Sequence, residues 1–144
     1  MRKTGQPDQT PIHARYDVVI IGGAIMGSSA AWFLTDNVDF DGTVLVVERD
    51  PTYRTASTSH TNSCMRQQFS TELNVRISQF AADFVKNFRS YMGNDDRVPD
   101  LSIHSFGYMY LAKTEKFAEI LKINQKIQQL ANSKTRFMTA IEIK

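Results

Sequence analysis

The sequence predicts an α/β fold built on a parallel sheet. Two apolar runs of strand length, 18–21 and 43–47, lack the polar alternation of a half-exposed strand. A glycine pair follows the first run, and a helix-length segment and a polar turn separate the two runs. Strand, glycine turn, helix and strand within about thirty residues form a βαβ unit. Unbroken apolar strands are typical of a parallel sheet that is covered on both faces.

The first elements follow from local residue preferences. The run 18–21 is entirely β-branched, which favours a strand over the start of a helix. Two glycines end it, and residues 24–34 resume with helical character. The second strand, 43–48, ends in an acid, and residues 50–62, rich in Ser and Thr, predict a loop.

The remainder of the chain predicts helices and one further strand. A helix is expected over 73–92 because apolar side chains recur every three or four residues: Ile77, Phe80, Ala81, Phe84, Phe88 and Tyr91. Residues 106–111 predict a strand and 114–131 a second helix. Residues 136–144 begin another element.

Composition excludes several classes of protein. The 144 residues are 42% hydrophobic and 22% charged, which suits one ordinary globular domain. Seventeen Lys and Arg against fifteen Asp and Glu give a net charge of +2, too small to indicate nucleic acid or an anionic membrane as the main partner. The single cysteine, Cys64, excludes an internal disulfide and a Cys-rich zinc site. It fits a reducing compartment, so a cytoplasmic location is expected.

The N-terminal region also resembles a signal peptide or a transmembrane helix. Residues 18–35 carry no charge, and three basic residues precede them. Against this interpretation, the segment starts with a β-branched run, breaks at two glycines and directly follows Asp17. We therefore expect no transmembrane segment, and a flexible tail over 1–15.

A glycine-rich turn lies at the predicted strand-to-helix junction: Gly22, Gly23, Ala24, Ile25, Met26 and Gly27. It stands in the place of the GxGxxG pattern of dinucleotide-binding folds, with Ala24 at the second glycine. There the first glycine makes the tight turn, the second lets backbone approach a pyrophosphate, and the third lets the helix pack on the strand. The unpaired N–H groups and the dipole of the helix start then hold the phosphates.

Glu48 ends the second strand, 21 residues after Gly27. A carboxylate at this point accepts both ribose hydroxyls of an adenosine, and it would repel a 2′-phosphate, which argues against NADP. Strand, turn, helix, strand and acid in register therefore predict dinucleotide binding. The alternative is a structural βαβ unit whose glycines only permit tight packing and whose Glu48 is solvated.

Four stretches carry a family resemblance: residues 17–29, VVER at 46–49, ASTS at 56–59 and RQQFS at 66–70. Together they resemble the FAD-dependent amine and amino-acid oxidoreductases of the D-amino-acid-oxidase-like superfamily. The most similar branch is the group of sarcosine and dimethylglycine dehydrogenases, glycine oxidase and monomeric sarcosine oxidase. Residues 106–112 resemble the strand with which that group enters its substrate domain.

The resemblance implies FAD as the cofactor. Residues 22–27 would take the pyrophosphate, and Glu48 the adenosine ribose. Arg49 would flank the adenine, or else be an exposed charge at the strand end. Three loop residues would donate hydrogen bonds to phosphate or flavin, or else form an ordinary polar loop: Ser57, Thr58 and Ser59.

His60 and Arg66 receive the most specific roles from the resemblance. In the dimethylglycine and sarcosine dehydrogenase branch, a Ser-Thr-x-His segment attaches flavin covalently through its histidine, and residues 57–60 resemble that segment. The alternative is a loop histidine that only hydrogen-bonds cofactor or solvent. Arg66 matches an Arg that binds the substrate carboxylate in the oxidase branch, although it could instead pin a loop to a helix.

The expected architecture is therefore a Rossmann-like sheet of the FAD/NAD(P)-binding class followed by the start of a substrate domain. The division is 1–15 tail, 16–100 FAD-binding part and 101–144 substrate part. Superfamily members are more than twice as long, so we expect an incomplete chain that is inactive alone. The full protein would oxidise the C–N bond of a small amine or amino acid by hydride transfer to flavin, with an unspecified electron acceptor. A non-catalytic flavoprotein-like assembly module and an NAD-binding dehydrogenase domain remain as alternatives.

Overall fold

A computed structural model describes residues 10–143 of the chain. Most of the predicted tail and the last residue of the element predicted over 136–144 lie outside the described residues. The chain divides into two compact units, a first unit up to Ser63 and a second unit from Cys64. The proposed division near residue 100 between a cofactor-binding and a substrate part stays a prediction.

The first unit contains the predicted βαβ arrangement. Strand β1 spans Val18–Ile21, helix α1 spans Ile25–Thr35 and strand β2 spans Val44–Val47. The two strands pair in parallel, with Val18 opposite Val44 and Ile21 opposite Val47. A single 3₁₀ turn, Ser57–His60, interrupts the predicted loop. The parallel sheet and its crossover helix are thus confirmed.

A side-chain latch aligns the starts of the two strands. The Asp17 carboxylate accepts hydrogen bonds from the Thr43 N–H at 2.7 Å and from the Thr43 hydroxyl at 2.8 Å. These bonds lower the pKa of Asp17, because they stabilise its charged form. The latch fixes the register that brings the far ends of both strands to the same edge.

Only one face of this sheet is covered within the described residues. Helix α1 packs on the face that carries Ile20, since a methyl group at Gly27 would lie 3.1 Å from Ile20 Cγ2. On the opposite face Val19 and Ile21 are 53% and 90% exposed. The expectation of cover on both faces is therefore wrong for residues 10–143. One crossover helix can cover only the face on which it packs.

The second unit is helical. Helix α2 spans Glu72–Lys86, helix α3 spans Phe88–Tyr91 and helix α4 spans Glu115–Leu130. The single helix predicted over 73–92 is thus broken at Asn87, which leaves helical backbone and whose side-chain amide donates to the Asp83 carbonyl. An amide side chain that bonds nearby backbone competes with the helix in this way.

The strand predicted over 106–111 is absent, so that prediction is wrong. A strand requires a neighbour with which it exchanges backbone hydrogen bonds, and both strands of the described chain belong to the first unit. Gly107 also departs from extended backbone, with φ of 84°. Residues 136–139 have no regular secondary structure and 140–143 form a turn, so no further helix or strand is found there.

Helices α2 and α4 pack together around a small core. Val75 and Ala131 are 0% and 2% exposed. Gln79 donates to the Ala131 carbonyl at 2.9 Å, which satisfies a backbone group beside that core. The apolar stripe predicted over 73–92 is only partly covered: Ile77 and Phe80 are 56% and 49% exposed, whereas Ala81, Phe84 and Phe88 are half-buried.

Candidate cofactor-binding site

The glycine-rich turn depends on two glycines for different reasons. Gly22 has φ of 98°, which side chains disfavour, and its N–H donates to the Val47 carbonyl at 2.8 Å. Gly27 lies against the same turn, because a Cβ placed on it would come 1.8 Å from the Gly22 carbonyl oxygen. Only a residue without Cβ allows α1 to approach the end of β1 this closely.

Helix α1 begins without a side-chain cap from its own N-cap residue. Ala24 takes that position with extended backbone, and its methyl group cannot accept a hydrogen bond. The first-turn N–H groups of Ile25, Met26 and Gly27 have no intrahelical acceptor by helix geometry. The Thr58 hydroxyl oxygen lies 3.4 Å from Ile25 N, a long contact. The positive end of the helix dipole is therefore available to an anion.

Glu48 ties the turn to the end of β2. Its Oε2 accepts from the Gly23 N–H at 2.7 Å, and its Oε1 accepts from the Asp50 N–H at 2.8 Å. The hydrogen bond from Asp50, followed by that from Gly23, lowers the pKa of Glu48 below its ordinary value. The group is therefore ionised at neutral pH. An ionised carboxylate can accept about four hydrogen bonds, so Glu48 can still accept from a ribose hydroxyl.

A cleft of about 340 Å³ lies over the helix start. Seven residues line it: Gly23, Ala24, Ile25, Ser28, Tyr53, Thr58 and Ser59. The cleft thus brings three residues of the glycine-rich turn together with two of the predicted loop residues, whereas Gly22, Gly27 and Glu48 do not line it. Met26, Arg49, Ser57 and His60 are exposed and do not line the cleft.

The side chains of the 3₁₀ turn are partly committed to the loop itself. The Ser59 hydroxyl donates to the Tyr53 carbonyl at 2.7 Å. His60 Nε2 lies 2.7 Å from the Arg54 carbonyl oxygen. These bonds fix the shape of the loop, and they leave the Thr58 side chain as the one of the three predicted hydroxyls that reaches the helix start.

Comparison with known proteins decides the family. The sequence model of the DAO family, described as FAD-dependent oxidoreductase, matches residues 17–144. The chain belongs to this DAO family. The family is FAD-dependent, so the prediction of FAD as cofactor is confirmed.

Several curated relatives match most of the chain. It is 39% identical over 134 residues to the Xenopus laevis FAD-dependent oxidoreductase domain-containing protein 1, covering 90% of this chain and 26% of the relative. The Bos taurus protein of the same name is 41% identical over 128 residues, covering 87% and 26%. The Drosophila melanogaster homologue is 37% identical over 134 residues, covering 93% and 25%. The chain thus spans about a quarter of these relatives' length. No solved structure gives a significant match.

The residues of this DAO-family chain fit the diphosphate and ribose end of FAD. Gly27 lets α1 pack against the turn, the start of α1 is open, and Glu48 is ionised and can accept further hydrogen bonds. Sequence reasoning missed two residues of the cleft, Ser28 and Tyr53. Ser28 follows the last glycine directly and its hydroxyl donates to the Gly23 carbonyl. Position next to the motif was therefore a usable signal for Ser28, whereas Tyr53 had none.

Arg66 belongs to the second unit of the chain. Its guanidinium carbon lies 5.1 Å from the centre of the Phe69 ring and 5.8 Å from that of Tyr110. Its backbone carbonyl accepts from the Ser78 hydroxyl, so the residue is anchored to helix α2. No ion pair of Arg66 is found within residues 10–143.

In the same range, no helix has the length and apolar character needed to span a membrane.

Proposed function

We propose that the full protein oxidises the C–N bond of a small amine or amino acid. FAD, when bound, supplies the hydride acceptor for such an oxidation. The residues of this chain would bind the cofactor and orient the substrate. The observation that carries the proposal is the environment of Arg66, which suits a carboxylate ligand.

The Phe69 and Tyr110 rings lie within cation–π distance of the Arg66 guanidinium. The N–H donors of a guanidinium form a planar fork that matches the geometry of a carboxylate. The side chain is exposed. An arginine held in this way can donate two parallel, charge-assisted hydrogen bonds to a substrate carboxylate.

The first unit would hold the adenosine-diphosphate half of the cofactor. We assign the pyrophosphate to the backbone of residues 22–27 and the ribose hydroxyls to Glu48. Arg49 would flank the adenine, and the hydroxyl-bearing turn at residues 57–59 would contact phosphate or flavin. The open start of α1 and the lowered pKa of Glu48 support this arrangement.

The experiment adds candidate amines to the oxidised full-length flavoprotein under anaerobic conditions and follows its visible absorption. Bleaching by a carboxylate-bearing amine is expected. In steady-state assays, Arg66→Ala should then raise KM by about 10- to 100-fold, because it removes charge-assisted hydrogen bonds to substrate. Flavin content should stay at the parent level.

Matched variants separate substrate binding from a structural role. Arg66→Lys keeps the charge but loses the two-pronged geometry, so its KM should lie between those of the parent and Arg66→Ala. Arg76→Ala is the control, since Arg76 is also exposed and, among residues 10–143, forms its ion pair with Glu72 on α2. Equal KM values for Arg66→Ala and Arg76→Ala would contradict the carboxylate assignment. Flavin bands that no amine bleaches would favour the non-catalytic flavoprotein-like module instead.

His60 is the proposed point of contact between the loop and the flavin. Its Nε2 faces the Arg54 carbonyl, so in the neutral ring the proton sits on Nε2 and the lone pair on Nδ1. Acid precipitation of the full-length flavoprotein distinguishes a covalent link from a hydrogen bond. Yellow colour kept in the pellet, and lost in His60→Ala, supports the link. Complete release of flavin to the supernatant eliminates the link and leaves noncovalent FAD binding.

A further inference from the structure

Tyr53 has an unusual backbone conformation for a bulky residue. Its φ is 55°, in the left-handed region that few residues other than glycine, asparagine and aspartate adopt. Three hydrogen bonds hold it there. Its N–H donates to the Asp50 carbonyl at 2.9 Å, and its carbonyl accepts from the Ala56 N–H at 3.1 Å and the Ser59 hydroxyl at 2.7 Å. These bonds fix the loop backbone, and with it the position from which the Tyr53 side chain extends.

The Tyr53 side chain extends toward the glycine-rich turn. A methyl group placed on Gly23 would lie 3.0 Å from the Tyr53 hydroxyl oxygen and 3.4 Å from Glu48 Cβ. Tyr53 is half-buried and lines the cleft over the start of α1. Among residues 10–143 the phenol hydroxyl has no hydrogen-bond partner, although it stands beside the residues that fit a nucleotide.

We propose that Tyr53 binds the adenosine-diphosphate half of FAD. Glu48 can only accept hydrogen bonds, whereas a phenol can both donate to a phosphate oxygen and accept from a ribose hydroxyl. Backbone strain held by surrounding hydrogen bonds is typical of sites where a side chain must be positioned before its ligand arrives. This inference rests on the FAD dependence of the family and not on amine oxidation.

ADP is the probe, because it carries the predicted contacts and lacks the flavin. The full-length protein, freed of FAD, is titrated with ADP by calorimetry. Tyr53→Phe keeps the ring and removes only the hydroxyl, so ADP affinity should fall about three- to tenfold. Tyr53→Asn tolerates the left-handed backbone but also removes the ring, and it should bind ADP more weakly still.

Tyr91→Phe is the matched control. The Tyr91 hydroxyl donates to the Asp83 carboxylate at 3.2 Å and lies in the second unit, away from the glycine-rich turn in the sequence. Its ADP affinity should equal that of the parent. Melting temperatures of all ligand-free variants are measured in parallel. An unchanged ADP affinity in Tyr53→Phe would overturn the proposal. If the melting temperature of this variant also fell, Tyr53 would be a structural residue. A failure of amine oxidation would leave ADP binding unaffected, so the two proposals fail separately.

Discussion

Helix α1 of the first unit and helix α4 of the second unit begin in opposite ways. Helix α4 of the second unit starts after Thr114, whose hydroxyl oxygen accepts from the Phe117 N–H at 3.3 Å. Helix α1 of the first unit starts after Ala24, which offers no acceptor. A side-chain cap satisfies a helix end internally, and an end without one keeps its N–H groups for a ligand. Helix α2 also lacks a side-chain cap bond, so it is the missing cap together with the adjacent cleft that makes the start of α1 suit an anion.

Gly27 of the first unit and Gly93 of the second unit are required for different reasons. A Cβ on Gly27 would collide with backbone of the neighbouring turn, 1.8 Å from the Gly22 oxygen. A Cβ on Gly93, in the second unit, would meet nothing within 4 Å, although its φ is 69°. Gly27 is required by close packing, and Gly93 only by backbone conformation.

The largest expected effect follows from this difference. Gly27→Ala forces the helix away from the turn, and a backbone oxygen cannot move aside as a flexible side chain could. We expect the free energy of unfolding to fall by about 4 kcal/mol and flavin to be lost from the full-length protein. Denaturant unfolding and flavin absorbance per polypeptide measure the two effects.

Gly93→Ala is the control for this prediction. It strains left-handed backbone without a clash, so it should cost about 1–2 kcal/mol and leave flavin content intact. A stability loss in Gly27→Ala no larger than that in Gly93→Ala would show that the turn tolerates a Cβ. The steric account of the site would then be wrong.

Glu48 provides the next largest effect. Glu48→Ala removes the acceptor that serves Gly23, Asp50 and, in our assignment, the ribose. FAD affinity of the full-length protein should fall about 5- to 100-fold, as measured by quenching of flavin fluorescence. Glu48→Gln keeps one acceptor oxygen and should fall in between. Parent-like affinity in Glu48→Ala would remove the ribose assignment.

The lowered pKa of Glu48 also predicts the sign of a pH effect. A carboxyl whose pKa is lower in the folded state stabilises the fold above its unfolded pKa, here about 4.5. This contribution is lost as the pH falls through the lower folded value. The stability difference between the parent and Glu48→Gln should therefore be constant from about pH 6 to pH 8 and shrink below about pH 4.5. A difference that grows on acidification would contradict the hydrogen-bonding pattern.

The βαβ unit could be predicted from sequence because its determinants are local. The β-branched run, the glycine turn and the terminal acid each act on their own neighbourhood. The strand expected over 106–111 failed because the apolar composition of a segment does not guarantee a pairing partner. The break at Asn87 was missed because the aromatic stripe continues through it, while a single side-chain amide ends the helix there.

The candidate site was predictable where a motif exists. The spacings of Gly22, Gly27 and Glu48 match the dinucleotide-binding pattern, in which each of these positions has a physical role. Tyr53 escaped because its position depends on a left-handed backbone and on three loop hydrogen bonds, none of which has a sequence pattern.

The central claim, that the open start of α1 holds the FAD diphosphate, is tested most directly by Ala24→Asp in the full-length protein. The introduced carboxylate can cap the helix, which should stabilise the ligand-free protein by about 1 kcal/mol. It would also repel the diphosphate. Ala24→Gly, which keeps the position uncharged, is the control.

The measurement is flavin absorbance per polypeptide together with the melting temperature of the ligand-free protein. We predict that Ala24→Asp is nearly colourless and melts at or above the parent temperature, while Ala24→Gly stays yellow. Full flavin occupancy in a stably folded Ala24→Asp variant would contradict the claim, because the diphosphate would then have to lie elsewhere.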